Sequence, residues 1–269
     1  MPDRRPLPTP RTIGVLGGMG PQATVQFMQR VIDLVSANDD RDHVPLLVDQ
    51  NPQVPSRIEA LIDGDGADPA PVLAAMATRL EAAGAQALVM PCNTAHAFSP
   101  EVRAAVTIPF LSMVELTVGA LAATHPGARI GMLASPAVRI ARVFDAPMTQ
   151  HGLEPLYARD EAALLGAIRT LKCDTTDPSA NKSALDVARS LRADGADLVL
   201  VSCSEFSLLT PALCEHAPVI DSLDVLVEAT VSFSRFGAGQ PRAAQTATHE
   251  PGAGGATIQS ASTTRETAP

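Results

Sequence analysis

The stretch Ala87-Leu88-Val89-Met90-Pro91-Cys92-Asn93-Thr94 decides how this chain is read. Its short apolar run reads as a buried strand of a parallel sheet, because no polar residue alternates along it. The thiol of Cys92 then stands just past the carboxyl end of that strand, where open α/β folds build their sites. A second stretch, Leu198-Val199-Leu200-Val201-Ser202-Cys203-Ser204-Glu205, repeats the pattern of apolar run, cysteine, small polar residues and helix. Two such thiols in two halves of one chain suit a reaction that needs two matched acid/base groups. Taking a proton from one face of a carbon and delivering one to the other is such a reaction.

Outward from these stretches, apolar strands alternate with helical patterns. Strands are expected at 12–16, 44–49, 87–90, 108–111, 129–133, 197–201 and 218–220. Helices are expected at 21–35, 69–83, after 111 to about 123, and at 161–171, 181–193 and 223–236. Strands separated by helices argue for parallel sheets covered on both faces. The pattern restarts near residue 125. The expectation is therefore an α/β fold of two similar lobes, each a mostly parallel sheet flanked by helices, with the active site in the cleft between them. The first lobe spans 12–118 and is completed by the C-terminal helix 221–236; the second spans 119–220. Residues 1–11 and the Gly-, Ala-, Thr- and Ser-rich tail 237–269 lack apolar periodicity and are expected to be disordered.

Composition narrows the function. The 269 residues are 46% hydrophobic, enough for two lobes with real cores. No apolar run nears the roughly 20 residues that span a bilayer, so no membrane partner is expected. The basic, Pro-rich start lacks the apolar segment of a secretion signal. None of the four cysteines forms a C-x-x-C pair, so free thiols and a cytoplasmic location are expected. A net charge of -9 argues against nucleic acid, and the absence of Trp argues against a base-stacking platform.

Two loops join the thiols as candidates for chemistry. In Leu16-Gly17-Gly18-Met19-Gly20-Pro21, glycines after a strand expose backbone N–H groups ahead of a helix N-terminus, which favours an anion. Read as G-x-G-x-x-A, the loop mimics a dinucleotide fingerprint. Asp49, the acidic residue that fingerprint needs, lies too far along. The loop Asp49-Gln50-Asn51-Pro52-Gln53-Val54-Pro55-Ser56-Arg57 is stiffened by two prolines, and Arg57 can clamp a carboxylate bidentately. A thiol becomes a useful base when donors stabilise its thiolate; Asn93, Thr94 and Ser204 supply donors. Cys173 and Cys214 lack this context and are taken as buried, inert side chains. Cys92 and His96 share a helical face, but zinc needs three or four ligands, so no metal is expected. His96 is expected in a supporting or core place. Glu205 can orient or protonate a neighbour, or simply start a helix.

With these residues in view, the chain resembles the aspartate/glutamate racemase family of cofactor-independent amino-acid racemases, over roughly residues 12–236. Leu16-Gly-Gly-Met-Gly-Pro21, Asn51-Pro-Gln-Val-Pro-Ser-Arg57, Pro91-Cys-Asn-Thr-Ala-His96 and Ser202-Cys-Ser-Glu205 carry the resemblance. It implies two α/β lobes, a homodimer, and two-base proton transfer between Cys92 and Cys203 without pyridoxal phosphate or another cofactor. It implies an acidic amino-acid substrate, aspartate or glutamate. Arg57 and Lys172 would bind its side-chain carboxylate. Asn93, Thr94, Ser204 and the amides of Gly18, Met19 and Gly20 would hold the α-carboxylate, Asn51 of the arginine loop would also bind substrate, and Glu205 and Ser135 would act in support.

Several positions depart from the family pattern: Ser202 and Ser204, Ser56 and Ile58, Val138, Leu226, and Cys173 after Lys172. They read as changes to the walls of the site. They leave open cis–trans isomerisation of a small dicarboxylate on the same scaffold, or a ligand-binding homologue without turnover.

Overall fold

The computed structural model describes residues 9–237. The expected disorder of the two ends lies outside these residues except at 9–11 and 237. The Arg11 N–H donates to the Ser234 carbonyl at 2.8 Å, which pins the chain before its first strand.

The first sheet holds β1 (Ile13–Gly17), β2 (Leu46–Gln50), β3 (Ala87–Val89) and β4 (Phe110–Leu111) in the order β2-β1-β3-β4. The second holds β5 (Arg129–Ala134), β6 (Glu154–Tyr157), β7 (Leu198–Ser202) and β8 (Val219–Asp221) in the order β6-β5-β7-β8. All pairings are parallel. β1, β3 and β7 are buried along their whole length, as expected of unbroken apolar runs inside a sheet. The two-lobed α/β architecture is the one anticipated from the strand and helix pattern.

β6 was not anticipated. It carries Pro155, which cannot donate to a ladder, and it is tolerated because β6 pairs on one side only, with β5.

The helices between strands are α1 (Pro21–Leu34), α2 (Ala70–Ala82), α3 (Ser99–Ala104), α4 (Met113–Thr124), α5 (Pro136–Ile140), α6 (Asp145–Gln150), α7 (Glu161–Cys173), α8 (Pro178–Ala193), α9 (Thr210–Cys214) and α10 (Ser222–Phe236). α7 buries Leu164, Ala167, Ile168 and Leu171, one stripe at helical spacing. That stripe packs with α8 and with Val199 and Val201 of β7 in the second-lobe core. α10 returns to the first lobe: Leu223, Leu226, Val227 and Phe233 pack with Ile13, Val15, Phe27, Ala87 and Val89. The thiol loops follow β3 and β7, the third strand of each half. In both sheets the strand order reverses beside these strands, the switch point where α/β folds form ligand crevices.

Candidate active site

The β1 loop shows why its glycines are there. Gly18 has φ +92, and a Cβ there would sit 2.4 Å from the Asn51 carbonyl carbon. Only glycine tolerates both the left-handed backbone and this approach between the β1 and β2 loops. The Gly18 N–H donates to Thr24 Oγ1 at 2.9 Å, so α1 holds the loop through its own first turn. Asn51 is occupied too: its Oδ1 accepts the Gln53 N–H at 3.0 Å, which shapes the arginine loop.

Two cavities that share lining residues lie at the strand ends. The outer cleft is about 770 Å³, within the range of small-molecule sites. Gly18, Gly20, Gln22, Gln53, Asp174 and Ser204 stand on its walls. The inner chamber is about 20 Å³, room for about one water. Both Cys92 and Cys203 line it, together with Met19, Thr94, Ser135 and Ile58. Arg57, Lys172 and Glu205 border both cavities, so three charged side chains stand between the cleft and the thiols.

The two thiols differ in their surroundings. Cys203 Sγ donates to Glu205 Oε2 at 3.1 Å. Burial, and then the neighbouring Glu205 carboxylate, push the Cys203 thiol well above its ordinary value. Cys92 has a neutral support. His96, buried four residues on, donates from Nδ1 to the Cys92 carbonyl at 2.9 Å and accepts the Met113 N–H on Nε2 at 3.0 Å. Burial pulls His96 down to about 4, so it stays neutral and ties the Cys92 loop to the start of α4. That is the supporting place expected of it. Among the described residues, no group of three or more His, Cys, Asp or Glu is placed to hold a metal ion.

The cations are held lightly. Arg57 Nη1 donates to the Val54 and Pro55 carbonyls at 3.4 and 3.1 Å, and its buried Nε has no partner. Among the described residues neither Arg57 nor Lys172 forms an ion pair. Lys172 reaches the cleft as the penultimate residue of α7.

Asn93 lines neither cavity. It is buried, and its Nδ2 donates to Ser222 Oγ at 2.9 Å. Ser135 caps α5, its Oγ accepting the Ala137 N–H at 3.3 Å.

Some expectations change. Ser202, Val138 and Leu226, read as wall positions, are fully buried in the lobe cores and line neither cavity. Ser56 and Cys173 do stand in the outer cleft, and Ile58 in the inner chamber. Cys173 and Cys214, expected to be buried, are exposed. Gln22, Gln53, Asp174 and Thr175 were missed. Gln22 and Gln53 lie in or beside the two quoted loops, where nothing in the spacing singles out these side chains, and Asp174 and Thr175 carry no local motif.

The family model for Asp/Glu/Hydantoin racemase matches residues 16–230. The broad specificity amino-acid racemase RacX of Bacillus subtilis (strain 168) is 26% identical over 227 residues, 82% of this chain and 96% of its own length. The aspartate racemase of Picrophilus torridus superposes with a TM-score of 0.76 at 26% identity, over 83% of this chain and 94% of that one. An aspartate racemase homologue from Pyrococcus horikoshii shares the fold, with a TM-score of 0.64 at 17% identity over 83% of this chain and 99% of that one.

Proposed function

Because this chain belongs to the Asp/Glu/Hydantoin racemase family of isomerases, we propose that it inverts the α-carbon of an amino acid by proton transfer between Cys92 and Cys203. The observation that carries this reading is the shared inner chamber, which brings thiols 111 positions apart in sequence (203 − 92) to one small space. In one direction the Cys92 thiolate takes the α-proton and becomes a thiol. The C–H electron pair stays on the substrate, spread onto its carboxylate. The Cys203 thiol delivers its proton to the opposite face and becomes a thiolate. The hydrogen bond from Cys203 to Glu205 supports Cys203 as the resting acid, because the carboxylate favours the protonated thiol. In the other direction Glu205 is placed to accept the Cys203 proton.

The α-proton of an amino acid is far less acidic than a thiol, so the developing carboxylate charge needs preorganised donors in a water-poor site. Thr94, Ser204 and the Gly20 amide are the groups we assign to it. Arg57 and Lys172 favour an acidic substrate, aspartate or glutamate, since a side-chain carboxylate would replace the weak carbonyl partners of Arg57. The large outer cleft, with Gln22, Gln53 and Asp174, supports a second reading: a longer, non-acidic side chain on the same reacting centre.

Proton NMR in heavy water tests both. Each enantiomer of aspartate, glutamate and a panel of longer amino acids is incubated with the protein, with chiral analysis alongside. Loss of the α-proton signal with gain of the opposite enantiomer is expected. Retention of every α-proton across the panel refutes racemisation.

A further inference from the structure

One buried junction touches both thiol loops. β8 ends at Asp221 and α10 begins at Ser222, and both residues are almost fully buried. Ser222 Oγ lies 2.9 Å from the Val201 carbonyl oxygen, two residues before Cys203. It also lies 2.9 Å from Nδ2 of Asn93, the residue after Cys92. A carbonyl can only accept, so the Ser222 hydroxyl proton goes to Val201. Ser222 then has only lone pairs for Asn93, which forces the Asn93 NH₂ toward Ser222 and its Oδ1 the other way. That Oδ1 is buried without a partner, so the bridge holds the amide in place against the cost of an unmet acceptor.

Asp221 secures the far side of the Cys203 loop. Its carboxylate accepts from Ser207 Oγ and Thr210 Oγ1, each at 2.9 Å, and from the Leu223 N–H at 2.9 Å. Arg30 of α1 donates to Asp221 at 2.7 Å and to the Ser207 carbonyl at 2.6 Å, so a first-lobe helix grips the same loop.

We propose that Ser222 is a positioning residue that sets the placement of the Cys92 loop relative to the Cys203 loop and orients the Asn93 amide. It rests on the reading of Cys92 and Cys203 as paired base and acid. Inversion requires both sulfurs to reach one carbon from opposite faces. A displacement of about 1 Å is enough to spoil the second transfer while the first survives. The abstracting thiol then exchanges its proton with solvent and returns a solvent proton to the same face. Loss of the bridge therefore shows as exchange without inversion.

The test uses the full chain in heavy water with an amino acid that the wild type racemises. The ratio of α-deuterium in the starting enantiomer to that in the product is measured for wild type, Ser222→Ala and Ser234→Ala. Ser234 is a buried serine at the other end of α10, bonded to the Arg11 carbonyl at 2.8 Å, and serves as the control. Iodoacetamide labelling is mapped at each cysteine by mass spectrometry. Ser222→Ala should raise the ratio at least about fivefold. It should also change labelling of Cys92 and Cys203, relative to Cys173 and Cys214, by at least about threefold. Ser234→Ala should change neither. A folded Ser222→Ala with wild-type ratio and labelling overturns the proposal, as does an equal response of Ser234→Ala. Should Ser222→Ala fail to fold, Ser222→Cys, similar in size but a weak hydrogen-bonding group, is read in the same way. A wild type that racemises nothing sinks the two-cysteine reading alone, and the labelling then decides whether Ser222 couples the loops.

Discussion

At the scale of single residues, the proposed chemistry rests on two thiols in unequal settings. Cys92→Ala and Cys203→Ala should each fold with near-native circular dichroism and lose racemisation by at least about a thousandfold. Near-normal inversion in either would remove that residue from the reaction. Glu205→Gln takes away the charge that, after burial, holds the Cys203 thiol up. Labelling of Cys203 at pH 8 should then rise, while Cys92 is unchanged. No rise would mean that burial alone sets the thiol. The cysteines were legible in sequence because strand, cysteine and small polar residues repeat. The difference between them was only partly legible. Glu205 stands two residues from Cys203 in either description, yet only the folded chain shows its carboxylate at the sulfur.

At the scale of elements, α10 and the β1 loop are the sensitive parts. Leu226 is fully buried between α10 and the first sheet, so Leu226→Ala should cost about 2–5 kcal/mol in urea unfolding with the activity per folded molecule kept. A drop in activity per folded molecule would return Leu226 to the site walls. Gly18→Ala meets both the positive φ and the Asn51 backbone, so it should destabilise by about 1–3 kcal/mol and displace the β1 loop. The buried strands and the striped helices were readable from periodicity, because each repeats a spacing that burial imposes. β6 was not, because one edge pairing needs no apolar run.

At the scale of the whole molecule, the proposed reaction has one amino acid reach both thiols, so we expect it to open the roughly 20 Å³ chamber toward the neighbouring cleft. Amide hydrogen exchange should slow in residues 51–63 and 171–175 together when the racemised amino acid is added; slowing on one side alone would deny that it bridges the lobes. Stability against pH is also a property of the whole chain. His96 sits near 6.5 when unfolded and at about 4 when folded, so its contribution is present above pH 6.5 and is lost as pH falls toward 4. Wild-type unfolding free energy should drop by about 3 kcal/mol more than that of His96→Gln between pH 7 and 4. Equal slopes would show that His96 is not the group responsible. The sequence by itself marked every strand but β6, the longer helices, the two lobes and the two candidate thiols, since each is written in local spacing and in residue chemistry. Only the tertiary structure decided that Val138 and Leu226 are core, that Asn93 is bound to Ser222, and that Arg57, Lys172 and Glu205 stand between cleft and chamber. Those facts depend on which segments meet, and packing between distant segments leaves no periodic trace along the chain.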